Sequence, residues 1–514
     1  MKANISLIPF PRYIEQKNAS LKTEKKFILS TDSFFENDAA FLSSQLTTIN
    51  STCTVSKPKA AGISIELKKK TSLDGKDLKT KESYILIIDE EKISIYASNS
   101  AGAFYAVQTL KQLLLTRAEE LPCVYIYDMP AFEWRGFMLD LSRAFYSLDF
   151  LKKMVDVIAL HKMNRFHIHL TDDQGWRIDV PEYPNLTKIG SVRKGHYASD
   201  HNDVMNGTFR DKMIFYYTDE QLKDLVQYAL ERHIEVVPEI ELPGHVMALL
   251  ASYPELGCTG GPYAVENRWG IFDNVLCLGN DKIFDVYTAV FKKVAKLFPS
   301  KWIHIGGDEC PSTKWKTCPK CQQRVKDLKL KSEKELQSWV TKKMSDIVLS
   351  LGKTPIAWDE VINNTDKYSL PKNVIVQSWR DSKGGKKAAE MNHKTILSPC
   401  NMVYLNYKPN SDYDEPGKLD VITTKKAYSF SPVPKGLEEE KENLVMGAEC
   451  NMWAEDVSSA KLAEYMIFPR LCAVSECMWL TTKEKSFARF KKNLDEHKKR
   501  LSILDFLYYN GRLE

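Results

Sequence analysis

The feature that most constrains the fold is a repeated alternation of short apolar segments with longer amphipathic ones, which begins near Trp134. Short apolar segments that read as strands lie at residues 136–141, 165–170, 234–240, 302–306, 354–358, 373–378, 394–398 and 444–448. Apolar residues recur at helical spacing between several of them, for example at 148–162, 219–232, 282–297 and 333–351. Eight strand–helix repeats over about 380 residues predict a (β/α)8 or TIM barrel with long loops.

The residues before this alternation predict a separate, smaller domain. The strand signals are the period-two alternation at 63–67 and the apolar runs at 84–88 and 93–97, and a helix signal lies at 101–116. Strands followed by one long helix predict an α/β domain in which the helix packs on a sheet. We expect a linker at 122–130, so that an N-terminal domain spans 1–128 and the barrel spans 129–514.

Composition excludes several classes of protein. Hydrophobic residues make up 43% and charged residues 27% of the chain, as in an ordinary globular protein. Lysine and arginine exceed aspartate and glutamate by 72 to 67, a net charge of +5, which argues against a dedicated nucleic-acid binder. No apolar run approaches the roughly 18 residues that span a membrane. Pro9 and Pro11 interrupt the start of the sequence, so we predict no signal peptide in it.

The spacing of the eleven cysteines does not by itself predict a metal site. Cys310, Cys318 and Cys321 lie close in sequence, and the last two have C-x-x-C spacing. A structural zinc site needs four ligands, and a fourth cysteine is not visible nearby. We therefore favour a local disulfide or free thiols over zinc, and we predict neither a metal nor an organic cofactor.

Candidate functional residues follow the predicted strands, at the end of the barrel where active sites lie. They are Arg143 after the first strand, Asp172 and Asp173 after the second, His245 after the third, Asp308 and Glu309 after the fourth, and Trp358, Trp379, Tyr404, Asn406, Trp453 and Glu455 after the later ones. Aromatic rings pack on the apolar faces of pyranoses, while arginine and carboxylates suit hydroxyl groups. The set predicts a sugar pocket, although each tryptophan taken singly fits barrel packing equally well.

The adjacent Asp308 and Glu309 suggest acid catalysis. Neighbours in a regular strand point to opposite faces, so both reach one substrate only if the chain leaves the strand, which Gly306-Gly307 permits. Repulsion between two close carboxylates predicts a raised pKa for at least one, and a protonated carboxyl is a ready general acid. On the pair alone, a surface Asp-Glu pair that caps a helix is the simpler interpretation. His245 alone fits a structural histidine as well as one that tunes a carboxylate.

Five motifs together make the function specific. They are R-G-F-M-L-D-L-S-R (135–143), H-L-T-D-D-Q-G-W-R (169–177), E-L-P-G-H (241–245), H-I-G-G-D-E (304–309) and W-A-E (453–455). In this order they resemble glycoside hydrolase family 20, the β-N-acetylhexosaminidases, over essentially the whole chain. The resemblance implies an N-terminal α/β domain and a catalytic barrel. It also implies a retaining reaction in which the substrate's own 2-acetamido group attacks the anomeric carbon and forms an oxazolinium ion.

The resemblance also implies roles for single residues. Glu309 would be the general acid and then the general base, and Asp308 would orient and polarise the acetamido group. Asp172 and His245 would form a chain behind Glu309, with Asp173 structural. Arg143 would bind O3 and O4 with help from Glu455; Trp358, Trp379 and Trp453 would enclose the acetamido group and the ring face, and Tyr404 would hydrogen-bond the acetamide carbonyl.

One position departs from the family pattern. Many members have aspartate, which contacts O4 or O6, where this chain has Asn406, followed by Tyr407 and Lys408. A neutral amide would not repel a sulfate on O6, and Lys408 could attract one. We predict an exo-acting enzyme that removes terminal GlcNAc from glycans, with GalNAc and 6-O-sulfated GlcNAc as further candidates.

Two alternatives stay open at this point. One is a hexosaminidase that releases a disaccharide, which needs a wider pocket. The other is an inactive, lectin-like aminosugar binder, against which the intact Asp308-Glu309 pair argues. Because family members that act on glycans are often exported, we also expect export, with a leader absent from the sequence.

Overall fold

The structure is a computed structural model that describes residues 5–23, 26–48, 51–56, 62–117, 119–193, 215–363, 367–457 and 459–514. The elements of the N-terminal part are β1 (Tyr13–Lys22), β2 (Lys26–Thr31), α1 (Ala39–Leu46), β3 (Thr52–Val55), β4 (Ile63–Lys69), β5 (Ser72–Leu73), β6 (Lys76–Asp77), β7 (Tyr84–Ile88), β8 (Ile93–Ala97), α2 (Ser100–Thr116) and β9 (Glu120–Asp128). Seven of these strands form one mixed sheet in the order β1-β9-β7-β8-β4-β2-β3, and β5 pairs with β6. The predicted small α/β domain is therefore present.

The segment 122–130, predicted as a linker, is largely the strand β9. It pairs antiparallel with both β1 and β7 and is central to that side of the sheet. Pro122 favoured a linker because proline lacks the N–H that a central strand needs. In the structure Pro122 pairs with Ser20, just past a register shift in β1 between Gln16 and Ser20, where the ladder is irregular.

The second part of the chain is the predicted barrel. Its elements are β10 (Trp134–Asp140), α3 (Leu148–Leu160), β11 (Arg165–His169), β12 (Thr171–Asp172), β13 (Gly175–Trp176), α4 (Asn185–Lys188), α5 (Asp219–Leu230), β14 (Glu235–Glu239), α6 (Met247–Ser252), α7 (Lys282–Leu297), β15 (Trp302–His304), α8 (Thr313–Thr317), α9 (Pro319–Asp327), α10 (Glu335–Ser350), β16 (Thr354–Trp358), β17 (Ile375–Ser378), α11 (Ser382–Glu390), β18 (Thr395–Leu397), α12 (Cys400–Val403), β19 (Tyr407–Lys408), β20 (Lys418–Val421), α13 (Thr424–Tyr428), β21 (Val445–Met452), α14 (Ala460–Ile467), α15 (Arg470–Trp479) and α16 (Phe487–Ile503).

Eight parallel strands close the barrel in the order β10-β11-β14-β15-β16-β17-β18-β21. The last strand pairs with the first along six residue pairs, from Trp134–Gly447 to Leu139–Met452, so the sheet has no open edge. These are the eight strands that the apolar segments predict. Among the described residues, every helix is too short or too polar to cross a lipid bilayer.

Buried charges join the small domain to the barrel. Asp128, at the end of β9, accepts hydrogen bonds from Lys162 Nζ (2.8 Å) and from Trp479 Nε1 (2.8 Å), both on the barrel. All three side chains are buried. Removal of Asp128 or Lys162 would leave its partner as an unpaired buried charge, so these contacts fix the position of the small domain on the barrel.

Candidate active site

A pocket opens at the C-terminal ends of the barrel strands. Its wall is formed by acidic, basic and aromatic side chains from loops that follow different strands: Arg143, Asp172, His245, Trp269, Gly270, Asp308, Glu309, Trp379, Tyr404, Lys418, Trp453 and Glu455. Most of the residues singled out from the sequence therefore converge on one site. The exceptions are Asp173, Trp358 and Asn406, which do not line this wall.

The two adjacent acids lie on a sharp turn after β15. That strand ends at His304, and the backbone then takes positive φ at Gly306 (61°), Gly307 (105°) and Glu309 (43°). Glycine adopts these angles without steric cost, as the sequence suggests. The carbonyl of Gly307 accepts a hydrogen bond from Gln337 Nε2 (2.8 Å), which holds the turn.

Both acids face the same imidazole. Nε2 of His245 lies 3.8 Å from Asp308 Oδ2 and 3.5 Å from Glu309 Oε2. On its other side, Nδ1 lies 3.0 Å from Asp173 Oδ2 and 3.3 Å from Asp172 Oδ1. Asp172 and Glu309 thus both lie against His245, and Asp173, interpreted from the sequence as structural, lies closer to the ring than Asp172.

The environment shifts the pKa values of these groups. Burial, reinforced by repulsion from Glu309 and opposed by His245, raises the pKa of Asp308 to about 6. Burial disfavours charge on His245, but Asp172, Asp173 and Glu309 outweigh it and raise the pKa of the imidazole well above its usual value. A cationic imidazole beside two carboxylates favours their ionised forms and can exchange a proton with them.

Arg143 is fixed by three acceptors. Its guanidinium lies against Asp140 Oδ2 (3.2 Å) and Asp172 Oδ2 (2.6 Å), and its Nε donates to Gln174 Oε1 (2.8 Å). Burial opposes ionisation of Asp172, but Arg143 and His245 outweigh it and lower the pKa of that carboxyl. The guanidinium also lies 5.4 Å from the Trp453 ring. A planar donor group held in this way can present its remaining N–H bonds to two adjacent hydroxyls.

Aromatic rings form one side of the pocket. Tyr404 stacks on Trp379 with ring centroids 6.4 Å apart, and it lies 6.1 Å from Trp453. Both carboxylate oxygens of Glu360 lie about 3 Å from Trp379 Nε1 (3.1 and 3.0 Å), which orients that ring. Trp358 is buried behind them, with its centroid 6.0 Å from Trp453.

Asn406 and Lys408, which the sequence predicts near O6, do not line the pocket. The Asn406 side chain is fully buried, and its two amide atoms have no hydrogen-bond partner among the described residues. Lys408 donates to the Tyr413 carbonyl (3.0 Å) and is not on the pocket wall. The lysine on that wall is Lys418, whose Nζ lies 3.6 Å from Glu455 Oε1.

A polar network inside the barrel was not predicted. His167 Nδ1 lies 2.8 Å from Glu449 Oε1, and His304 Nδ1 lies 2.7 Å from Glu239 Oε1. His169 contacts both Glu239 and, at 3.0 Å, Asp172 Oδ2, so the network reaches the pocket wall. The signal was available: side chains two apart on a strand share a face, which places His167 and His169 together inside the barrel.

Trp269 and Lys418 are pocket residues that the sequence did not single out. Trp269 is 65% exposed at the mouth, and Lys418 Nζ lies 5.7 Å from its ring centroid. Trp269 lies on the long connection between α6 and α7, and Lys418 is the first residue of the short strand β20. Neither a motif nor a hydrophobic period marks them, so no sequence pattern could have found them.

One group of residues outside the pocket has the composition of a metal site. The sulfur atoms of Cys258, Cys277, Cys318 and Cys321 all lie within 4.8 Å of one another. The expectation that Cys318 and Cys321 lack further cysteine neighbours is therefore wrong. Cys310 lies apart from this group, against Gly244.

The fold agrees with comparisons to known proteins. Residues 132–482 match the family described as "Glycosyl hydrolase family 20, catalytic domain", and residues 4–129 match "Glycosyl hydrolase family 20, domain 2". A β-hexosaminidase of Porphyromonas gingivalis is 40% identical over 439 residues, which is 83% of this chain and 54% of that protein. The chain thus spans about half the length of that relative. A β-hexosaminidase of Vibrio furnissii is 32% identical over 92% of this chain and 76% of its own.

Solved structures give the same result. An exo-β-N-acetylglucosaminidase of Vibrio harveyi, in complex with N-acetylglucosamine, superposes with a TM-score of 0.85 at 27% identity and covers 99% of this chain and 80% of its own. A β-N-acetylhexosaminidase of Bacteroides fragilis superposes with a TM-score of 0.82 at 28% identity, over 99% of this chain and all of its own (100%).

Proposed function

The chain belongs to glycosyl hydrolase family 20, and we propose that it removes terminal N-acetylhexosamine residues, GlcNAc first among them, from glycans with retention of configuration. The observation that carries this proposal is that Asp308 and Glu309 both face His245 Nε2, at 3.8 and 3.5 Å, on the wall of one pocket. Two acids on one side of one sugar suit a reaction in which the substrate supplies the nucleophile.

In the first step Glu309 gives its proton to the glycosidic oxygen. The carbonyl oxygen of the substrate's 2-acetamido group attacks C1, the bond from C1 to the leaving alcohol breaks, and a cyclic oxazolinium ion forms. Glu309 is 34% exposed by its side chain, which fits a group that must meet both the leaving alcohol and water. In the second step it accepts a proton from water, and the hydroxide opens the ring at C1. Two inversions at C1 give net retention.

Asp308 acts on the acetamido group. As a carboxylate it accepts the hydrogen bond of the amide N–H, aligns the carbonyl oxygen with C1 and stabilises the positive charge that spreads over the oxazolinium ring. Its side chain is only 12% exposed, so this electrostatic attraction is little screened by water. Asp308 must be ionised for this role.

The remaining pocket residues bind and orient the sugar. Arg143, already held by Asp140 and Asp172, presents its guanidinium to O3 and O4. Trp379, Tyr404 and Trp453 line the side against which an apolar ring face and an acetamide methyl would pack. Such positioning keeps the acetamide oxygen close to C1, which is where most of the rate gain of an intramolecular attack arises.

Release of nitrophenol from an aryl β-GlcNAc glycoside tests the activity, and proton NMR of the first-formed sugar anomer tests retention. Glu309→Gln should lower kcat by about 100-fold or more, because a leaving group is no longer protonated. Asp308→Asn should lower turnover of the N-acetyl substrate. Glu439→Gln, an exposed glutamate on a surface turn, is the control and should leave turnover unchanged. Equal hydrolysis of an aryl glucoside that lacks the acetamido group would contradict the mechanism.

We also propose that the pocket accepts 6-O-sulfated GlcNAc. Support comes from Lys418, which is on the pocket wall beside Glu455, and not from Lys408 as the sequence suggested. Lys418→Ala should lower the ratio of kcat/KM on sulfated over plain aryl GlcNAc, because the cation beside the sulfate is lost. Lys408→Ala is the matched control, since its ammonium is bound to the Tyr413 carbonyl. An unchanged ratio in Lys418→Ala would end this proposal.

The release of nitrophenol from an aryl β-GalNAc glycoside measures whether the pocket accepts a sugar with an axial O4.

The two alternatives are separated by product analysis. A disaccharide-releasing enzyme would give only disaccharide from a longer glycan, whereas an exo-acting enzyme would give the monosaccharide. An inactive binder would retain the sugar without turnover. Export also stays a prediction, which fractionation of the producing cells would test.

A further inference from the structure

Four cysteine thiols meet beside the active-site loops. Cys258 and Cys277 come from the long connection between α6 and α7, and Cys318 and Cys321 come from the start of α9. Three of the sulfur–sulfur separations are 3.8 Å (Cys258–Cys321), 3.7 Å (Cys277–Cys318) and 3.7 Å (Cys277–Cys321). Three of the four side chains are buried, and that of Cys258 is partly buried.

These separations have the size of a metal–thiolate tetrahedron. A Zn–S bond of about 2.3 Å places two sulfurs of a regular tetrahedral site about 3.8 Å apart. A disulfide would require about 2.05 Å between bonded sulfurs. The observed separations are therefore too long for disulfide bonds. Ordinary buried cysteines that only fill a core have no reason to bring four sulfur atoms together.

The local backbone favours thiolates at this place. Cys318 caps the N-terminus of α9, Pro319 is the first residue of that helix, and Cys321 lies in its first turn. Backbone N–H groups and the positive end of the helix dipole stabilise negatively charged sulfur there.

Gly279 permits the close approach of the two loops. A Cβ at this position would overlap the backbone of Lys320 and Cys321, so the segment after Cys277 rests directly on the first turn of α9. Trp315 Nε1 adds a hydrogen bond to the Leu276 carbonyl (2.8 Å). The close packing of these two segments therefore places the four thiols near one another, whichever rotamers the side chains adopt.

We propose that Cys258, Cys277, Cys318 and Cys321 bind one structural zinc ion. Four soft thiolates in tetrahedral arrangement are the donor set that zinc prefers, and a site with four protein ligands leaves no open position for substrate or water. This site is separate from the glycosidase pocket and does not depend on the proposed function.

The zinc ion would hold two loops that shape the pocket. The loop closed by Cys258 and Cys277 carries Trp269, and its Glu266 N–H donates to the Asp173 carbonyl (3.0 Å). The Arg268 carbonyl of the same loop accepts from Gln174 Nε2 (2.8 Å), and Gln174 in turn holds Arg143. The other loop begins with Asp308 and Glu309. The metal thus stabilises the site's geometry without taking part in the reaction.

The experiment measures metal in the full chain as purified. After dialysis against a weak chelator, elemental analysis should find about one zinc ion per chain. An organomercurial reagent that blocks thiols should release this zinc, as read by a colorimetric indicator. The chain produced with cobalt in place of zinc should show the intense sulfur-to-cobalt charge-transfer absorption of a tetrahedral tetrathiolate site. These readings use the unaltered chain, so they do not depend on the folding of any variant.

Variants then assign the ligands. Cys277→Ser and Cys318→Ser should each lose zinc and lower the thermal midpoint, since binding to the folded state stabilises it. Cys123→Ser, at a buried free cysteine on β9, is the matched control and should keep its zinc. The proposal is overturned if the unaltered chain neither carries nor takes up zinc, if Cys277→Ser keeps its full zinc content, or if thiol titration of the unfolded chain shows two disulfides among these four cysteines.

Discussion

Nε2 of His245 lies 3.5 Å from Oε2 of Glu309, and the backbone of His245 has a positive φ of 52° at that point. The ring is held from behind by Asp173, with 3.0 Å between Nδ1 and Oδ2. A carboxylate on one side and an acid–base residue on the other make His245 a positioning residue for Glu309. In the proposed mechanism it tunes the protonation of Glu309.

Replacement of this histidine should therefore act on turnover and on its pH dependence. In His245→Asn we expect kcat to fall roughly 10- to 100-fold, because Glu309 loses the adjacent charge, while KM changes little. The kcat/KM profile should also shift along the pH axis. His233→Asn is the matched control, since His233 has a similar φ of 56° but packs against Phe104 of the small domain. If His245 had only a structural role, the variant would contain less active enzyme, but the pH dependence of kcat/KM would not shift.

The pH profile of the unaltered enzyme should have an acid limb near pH 6. Burial and the neighbouring Glu309 raise the pKa of Asp308 to about 6, and only the ionised form can polarise the acetamido group. As the pH falls through this value, the ionised fraction and hence kcat/KM should fall with it. Rates on an aryl GlcNAc glycoside between pH 4 and pH 8 measure this. A flat profile between pH 5 and pH 7 would contradict the assignment.

Asp308→Asn should make the folded protein more stable at neutral pH. The pKa of Asp308 is raised from 3.8 to about 6, so the folded state binds a proton more tightly than the unfolded one, and stability from this group is lost as the pH rises through that interval. Two pKa units correspond to about 3 kcal/mol, which a neutral amide would recover. The thermal midpoint of the variant should exceed that of the unaltered chain at pH 7.5, and the difference should shrink at pH 5. An equal difference at both pH values would argue against ionisation as its cause.

Gly306→Ala should disrupt the turn that carries the acids. A Cβ on Gly306 would overlap the carboxylate of Glu241, and the φ of 61° is unfavourable for alanine. We expect a loss of about 3 kcal/mol or more, with loss of activity, because a buried carboxylate would have to move. Gly352→Ala is the control: its φ is 74°, but nothing lies within 4 Å of the new Cβ, so a loss of about 1 kcal/mol is expected. Urea unfolding compares the two, and equal losses would remove the role given to Glu241.

Trp269→Ala should affect long substrates more than short ones. The ring is 65% exposed at the pocket mouth, where the second sugar of a glycan would lie against it. Loss of one stacking partner should raise KM several-fold for a β-linked GlcNAc trisaccharide and little for an aryl glycoside, since stacking on a sugar is worth about 1 kcal/mol. Tyr413→Ala removes a ring that is 94% exposed and is not on the pocket wall, and serves as the control. Equal changes in KM on both substrates would mean that Trp269 only shapes the loop.

Much of the fold could be predicted because local pattern and global fold agree. Each barrel strand coincides with a short segment rich in apolar residues, and closure follows from the number of repeats. The pocket residues could be predicted for a related reason: strand ends meet at one face of a barrel, so Arg143, His245, Asp308 and Trp453 had to be neighbours.

What could not be predicted depends on side-chain direction and on long loops. Cys258 and Cys277 precede Cys321 by 63 and 44 residues, and nothing in the sequence says that these loops touch. Lys408 and Lys418 are equally plausible in sequence, but only Lys418 is on the pocket wall. The segment 122–130 is predicted as a linker, and its sequence does not show that β1 and β7 pair with it in the sheet.

An acid-lined pocket also determines which small molecules would block it. Asp308, Glu309 and Glu455 line the pocket, and in the proposed reaction positive charge grows on the sugar beside Asp308 and Glu309. A piperidine or pyrrolidine mimic, whose ring nitrogen is protonated near neutrality, would gain attraction there that a neutral lactam of equal shape would lack. Because Asp308 loses its proton only above about pH 6, the advantage in affinity of the amine over the lactam should be largest at neutral pH and smallest in acidic solution.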